Sequence, residues 1–390
     1  NSAKLILDDL DTAEGSNYAA VAKTGLELGS ITALSGANAL LTGSSFGFNK
    51  FTTLMHGGFD GLDVTEKDPF RNTKLALPTA GPTDDNNAMF YTVKRAIDTM
   101  ADTDIVDCNL VTVPGLTNST LTDHLVKVSE ERADTLAIID IENDFVPEAE
   151  STDNAATRRP AVDTAVFNLH QRGIDSSYGA CYYPFVTIRD NLNDHLVDVP
   201  ASVVALGTLA YSEAVRDVWF APAGFTRGGL SRGTSGLQVV GVKHHLSSAE
   251  RDRLYERNIN PIASFPAEGV VVFGQKTLQM TPSALDRINV RRLLIRLKRD
   301  VSRIASTILF EQNVLDTWTK FVSQVTTLLN DVKGGQGLED FKVVLDETTT
   351  TPELVDRNIL YAKIFLKPAR AIEFIALDFI ITDSGASFDD

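Results

Sequence analysis

Cysteine is almost absent from this chain, which holds only Cys108 and Cys181 and no Cys-x-x-Cys pair. A disulfide framework and a structural zinc site both lack their ligands, and synthesis in a reducing cytoplasm fits that scarcity. Positive charge is also short: 36 Lys and Arg face 52 Asp and Glu, leaving a net charge of −16. That balance opposes general attraction to DNA, RNA or anionic lipid, so an anionic partner must be met by a local patch. No apolar run approaches the roughly 20 residues that span a bilayer, and no leader pattern opens the chain. It begins at Asn1 without Met, which reads as a fragment or as a chain with a further N-terminal part.

What is present suffices for folding. Hydrophobic residues make up 43% and charged residues 23% of 390 positions, enough for two or three units with real cores. Residues 1–50, with Gly29-Ser-Ile-Thr-Ala-Leu-Ser-Gly36 and Gly43-Ser-Ser-Phe-Gly47, show no sustained period and read as loop-rich or β. Pro69, Pro78, Gly81 and Pro82 then mark a connection.

Alternation of elements follows. A helix is expected over Asn87–Met100, a strand over Ile105–Val113, a helix over Thr120–Arg132 and an apolar strand over Thr135–Ile141. Strands that are apolar throughout and alternate with helices predict a parallel sheet covered on both faces. Glu148–Pro160 reads as a polar loop, Ala161–Gln171 as a helix, Tyr178–Ile188 as a strand and Val203–Ala214 as a helix. Phe225–Lys243, with five Gly, reads as an exposed and mobile loop or short hairpin, and Val270–Thr277 as a strand.

Asp286–Leu309 is the longest expected helix, because Val290, Leu294, Leu297, Val301, Ile304 and Ile308 recur at steps of four and three. A second helix, Val314–Val332, should stop at Gly334-Gly335. Strands are expected at Phe341–Leu345, Ile359–Leu366 and Ile372–Ile381, the last apolar on both faces.

Candidate chemistry is thin. Leu136-Ala-Ile-Ile-Asp-Ile-Glu-Asn-Asp-Phe145 resembles the opening strand of isochorismatase-like hydrolases, whose chemistry uses an Asp there, then a Lys and a Cys nucleophile. Cys181 follows Asp140 with no Lys between them, so the order of groups that would activate a thiol is missing. His244 and His245 are adjacent and point apart, which disfavours a shared metal even with Asp194 and His195 elsewhere. Gly334-Gly-Gln-Gly337 follows a helix and lacks the Lys-Ser/Thr of a P-loop, so it reads as a helix cap. No catalytic, metal or cofactor residue is expected. Arg292, Arg296, Arg299 and Arg303 step by four, three and four, a basic strip on one helix face that is either solvated or docked on an acidic partner.

Tyr182-Tyr-Pro-Phe-Val, Val199-Pro-Ala-Ser-Val-Val-Ala-Leu-Gly and Asp217-Val-Trp-Phe-Ala-Pro-Ala-Gly224 resemble the central run of contractile phage tail sheath proteins. Gly57-Gly-Phe-Asp-Gly61, Asn258-Ile-Asn260, Val272-Phe-Gly-Gln-Lys-Thr-Leu278, Ile288-Asn-Val-Arg-Arg292, Phe310-Glu-Gln-Asn313 with Trp318, and Pro368–Ile375 continue the match in order over about 330 residues. Phe185, Ala201 and Gln275-Lys276 depart from it and suggest a divergent member, from a large phage. The family's extended N-terminal arm is not recognisable in residues 1–50.

The resemblance implies a mixed α/β (α+β) fold with a central sheet flanked by helices. Residues 1–60 would be the remnant of an outer or inserted β-rich domain, 61–285 the core, and 286–390 a C-terminal helix-plus-strand assembly domain. It implies a structural subunit, not an enzyme and without cofactor, that forms a helical stack of rings around a tail tube. The further partners implied are baseplate and tail terminator proteins, with no nucleic acid and no membrane, in the virion tail after assembly in the host cytoplasm. Arg292, Arg296, Arg299 and Arg303 become candidate tube contacts. Ile372, Phe374, Ile375, Leu377, Phe379 and Ile380 become candidates for a strand shared between subunits. The sheath of a related bacteriocin or secretion device is the alternative.

Overall fold

The computed structural model describes residue 70 and residues 88–142, 162–190 and 192–373. The chain divides into two compact units, Asn1–Leu62 and Asp63–Asp390, and all described residues belong to the second. In chain order this unit runs α1 (Ala88–Thr99), β1 (Leu110–Thr112), α2 (Ser119–Arg132), β2 (Leu136–Ile139), α3 (Val162–Gln171) and β3 (Gly179–Tyr183). Next come β4 (Val186–Asp190), β5 (His195–Val199), α4 (Ala201–Val215), a short α5 (Gly224–Arg227), β6 (Val239–Val242), α6 (Ser248–Glu256), β7 (Asn260–Phe265) and β8 (Gly269–Val272). The last elements are α7 (Ile288–Ser306), α8 (Leu315–Gly334), β9 (Leu338–Val344), α9 (Pro352–Asp356) and β10 (Lys363–Pro368).

The fold is mixed α/β, as expected. The main sheet has the order β1-β2-β3-β7-β8, parallel from β1 to β7, with β8 returning antiparallel. Every residue of β2 and β3 is buried, the signature of strands covered on both faces. Helix ends follow local chemistry: the Asn118 side chain accepts the Leu121 N–H at 3.0 Å to cap α2, and Ser247 with Glu250 forms a capping box on α6. A second sheet, β5-β4-β6, is antiparallel, and β9 and β10 form a two-stranded ribbon.

Two apolar clusters result. The first joins Leu136, Ile138, Ala180, Tyr182, Phe185, Val204, Leu209, Ile262 and Val272 around the main sheet, with Ile288 and Ile295 of α7. The second joins Leu293 and Leu297 of α7 to Phe321, Val325, Leu329 and Val332 of α8 and Leu338 of β9. α7 thus carries apolar side chains into both clusters and joins them.

Several expectations need correction. The strand expected over Ile105–Val113 is only β1, since Ile105 lies in a turn and is 76% exposed. The strand expected over Tyr178–Ile188 is two strands, because Pro184 between them has no N–H for a ladder. The stretch Phe225–Lys243 is not an exposed loop: Leu230, Val239 and Val242 are buried in the first cluster. Its glycines permit close packing, as a Cβ on Gly228 would sit 2.7 Å from the Val272 carbonyl oxygen. The loop expected over Glu148–Pro160 lies outside the described residues.

Candidate assembly face

The Arg strip lies on α7, and its four members line one cleft of about 170 Å³ with Asn109, Glu213, Val218, Ile295 and Asp300. They do not share one environment. Arg292 is buried, donating to the Leu209 carbonyl at 3.2 Å and to Glu213 Oε2 at 2.6 Å. Burial pulls its guanidinium pKa down, against the opposing pull of Glu213. A surface strip of four arginines is therefore corrected to three: Arg292 is the floor of the cleft, held inside its own subunit. Arg296 donates to Asp300 Oδ2 at 2.7 Å, and this bond raises its pKa. Arg299 meets Asp107 at 2.9 Å and the Cys108 carbonyl at 2.8 Å. Arg303, 71% exposed, lies 3.5 Å from the same Asp300. One carboxylate thus faces two guanidiniums, so the rim of the cleft stays net positive.

Sequence reasoning missed the joint between the segment after α4 and the end of α8. The Trp219 indole N–H donates to the Gly335 carbonyl at 2.7 Å. A Cβ on Gly335 would meet Trp219 at 2.8 Å and one on Gly337 would meet it at 2.9 Å. The Gly334–Gly337 turn does end α8, and its glycines also let the indole seat against bare backbone. The signal was available in two separate places, a Trp in the Asp217–Gly224 motif and a Gly cluster after a helix, and only the fold brings them together.

The acid singled out in β2's continuation has a structural task. Asp140 is buried and accepts the Gly115 N–H at 2.9 Å, the Ser202 N–H at 3.0 Å and the Ser202 hydroxyl at 2.6 Å. It ties the β1–α2 loop to the first turn of α4. Burial pushes its pKa up in spite of these three donors. Cys181 is fully buried in β3, and burial raises its thiol pKa, so it offers no thiolate. Among the described residues no three His, Cys, Asp or Glu gather as metal ligands. His244 lies 3.7 Å from Glu250, while His195 and His245 are exposed.

Beyond the second cluster, β10 pairs with β9 from Lys363↔Val344 to Pro368↔Leu338, and among the described residues neither strand pairs with another. Alternate residues of β10 are exposed, including Phe365. Of the shared-strand candidates only Ile372 is described; it is 84% exposed and in no strand. Phe374, Ile375, Leu377, Phe379 and Ile380 lie outside the described residues.

Comparison with known proteins places this architecture. Residues 280–382 match the phage tail sheath C-terminal domain. The chain is 34% identical to the tail sheath protein of Enterobacteria phage T4 over 277 residues, 70% of this chain and 41% of that one. It is 40% identical to the tail sheath protein of Vibrio phage KVP40 over 199 residues, 51% of this chain and 29% of that one. The chain thus spans well under half the length of these relatives. Among solved structures, the anti-feeding prophage baseplate contains a chain alike in fold at a TM-score of 0.57 and 21% identity, covering 76% of this chain and 74% of that one. A sheath complex of an extracellular contractile injection system in its contracted state matches at a TM-score of 0.55 and 25% identity, covering 71% and 72%. The class these matches define is that of the contractile sheath proteins. Within it, residues 280–382 match the phage tail sheath C-terminal domain, and 70% of the chain is similar to a phage tail sheath protein.

Proposed function

We propose that this chain is the structural subunit of a contractile phage tail sheath, polymerising helically around a tail tube and contracting to drive the tube through the host envelope. The observation that carries this reading is 34% identity to the T4 tail sheath protein across 70% of the chain. Its partners are further copies of itself in stacked rings, the tube protein, the baseplate and the tail terminator, in the virion tail after assembly in host cytoplasm. Neither nucleic acid nor membrane is a partner, in keeping with the net charge of −16. Repeated head-to-tail contacts build an open helical array, and two packings of one subunit, one of them trapped, supply the stroke without a nucleotide.

Residues 1–60, 61–285 and 286–390 are its working divisions. The cleft rim of Arg296, Arg299 and Arg303 touches the tube, while Arg292 supports it from beneath. Exposed charge pairs are weak and salt-sensitive, as a contact that must release requires. The segment Ile372–Ile381 adds a strand to a neighbouring subunit, and the β9–β10 ribbon is the sheet that receives one. No catalysis is involved: Asp140 is engaged in three hydrogen bonds and Cys181 is sealed in the sheet.

A second reading, the sheath of a related injection device, is favoured by the anti-feeding prophage and injection-system folds. Electron microscopy of the purified protein with and without its tube partner tests the first. Hollow striated tubes are expected, and monomers at high concentration with the tube present would sink it. Capsid genes beside this gene separate phage from device.

A further inference from the structure

Four hydrogen bonds converge on Glu373. Arg287 gives two of them, Nε to Oε1 at 2.6 Å and a terminal nitrogen to Oε2 at 2.9 Å. The Tyr255 hydroxyl donates to Oε2 at 2.9 Å and the Gln275 amide to Oε1 at 3.1 Å. A bidentate guanidinium with two further donors is among the strongest ways to hold one carboxylate.

The donors are themselves fixed. The Gln275 carbonyl accepts the Ile288 N–H at 2.8 Å and Thr277 donates its N–H to the Asp286 carbonyl at 3.0 Å, so the segment after β8 lies against the entry to α7. Buried Asn260 of β7 holds Lys276 on both sides, accepting its N–H at 2.6 Å and donating to its carbonyl at 2.8 Å. Lys276 in turn donates to the Tyr255 carbonyl at 2.7 Å and lies 4.4 Å from the Tyr255 ring. Every donor to Glu373 is therefore tied to the main sheet.

The residues just before it are not. β10 belongs to the ribbon packed on the second cluster, and Arg370, Ala371 and Ile372 are exposed beside an open cleft of about 560 Å³. The chain leaves the ribbon, crosses this gap and is pinned to a different part of the fold.

We propose that Glu373 is a positioning residue that fixes the course of the chain after β10, so that a pull applied C-terminal to it enters the main sheet through Arg287, Gln275 and Tyr255 and bypasses the β9–β10 ribbon. The role in assembly rests on the sheath reading; the pinning itself does not.

Two measurements keep these apart. In the unassembled full chain, trypsin cleavage after Arg370 should be about 10-fold faster in Glu373→Gln and Arg287→Ala than in wild type, intermediate in Arg287→Lys, and least changed in Gln275→Ala. Cleavage after Lys94 and the melting temperature serve as controls for folding. In polymerisation, the same series should raise the critical concentration in the same order, about 10-fold for Arg287→Ala. Unchanged cleavage after Arg370, or faster cleavage with wild-type polymerisation, overturns the proposal. If wild type forms no polymer, the sheath reading fails, and the cleavage series alone decides the pinning.

Discussion

Over residues 288–297 α7 buries Asn289, Arg291 and Arg292 beside Ile288, Val290, Leu293, Ile295 and Leu297; over residues 298–306 it leaves Lys298, Ser302 and Arg303 exposed. Both halves are rich in arginine and aliphatic residues. The first half lies between the main sheet and α8, so each polar group needs a partner inside the chain, and Arg292 finds Leu209 and Glu213. The second half packs one side, Val301 and Ile304, on the smaller cluster and turns the other to water. Arg291 and Arg292, on the covered side of the first half, belong to folding, whereas Arg296 on its outer side and Arg303 in the second half are exposed to a partner.

The largest expected effect is at Arg292. Arg292→Ala removes both bonds and leaves a gap under Glu213, which should lower unfolding stability by about 3 kcal/mol in urea titration. A loss below about 1 kcal/mol would erase the distinction between the halves. Gly337→Ala comes next, since its Cβ meets both Trp219 and the Val332 side chain; overpacking of this kind costs about 2 kcal/mol. A separate loss of the α8–ribbon region, seen as a second transition on melting, would mark this joint as the boundary between the two clusters.

Asp140 sharpens the comparison through pH. Burial holds its pKa above the ordinary 3.8, so folding favours its protonated form. Its stabilising contribution is present below that ordinary value and is lost as pH rises through the raised one. Stability of Asp140→Asn relative to wild type should therefore grow as pH climbs from about 3.8, whatever constant offset the altered hydrogen bonds introduce. A flat difference between pH 3 and pH 7 would refute that sign. The smallest effect on folding is at Arg303, where Arg303→Glu should change stability by less than about 0.5 kcal/mol. The same substitution should weaken tube binding, more so at low salt; salt-independent binding equal to wild type would remove the rim from the tube contact.

Much of the fold was legible because it rests on local pattern. The continuous apolar runs Leu136–Ile139 and Gly179–Tyr183 could satisfy themselves only in a covered sheet, and the four-three spacing from Val290 to Ile308 only in a helix. The candidate face was half legible: periodicity put four arginines on one side of α7 without saying what lies opposite each. Gly228 and Gly229 were misread as loop punctuation, since local sequence does not show that Val271 and Val272 approach them.

By itself, then, the sequence determined the order of helices and strands, the scarcity of ligating side chains, and the motifs from Tyr182 to Pro222 that carry the resemblance to sheath proteins. Only the tertiary structure decided which arginines are buried, that Trp219 seats on the Gly335–Gly337 turn, and that Glu373 is pinned by residues 86 to 118 positions away. Those outcomes depend on what the fold brings against each side chain, and periodicity along one element carries no information about its neighbours.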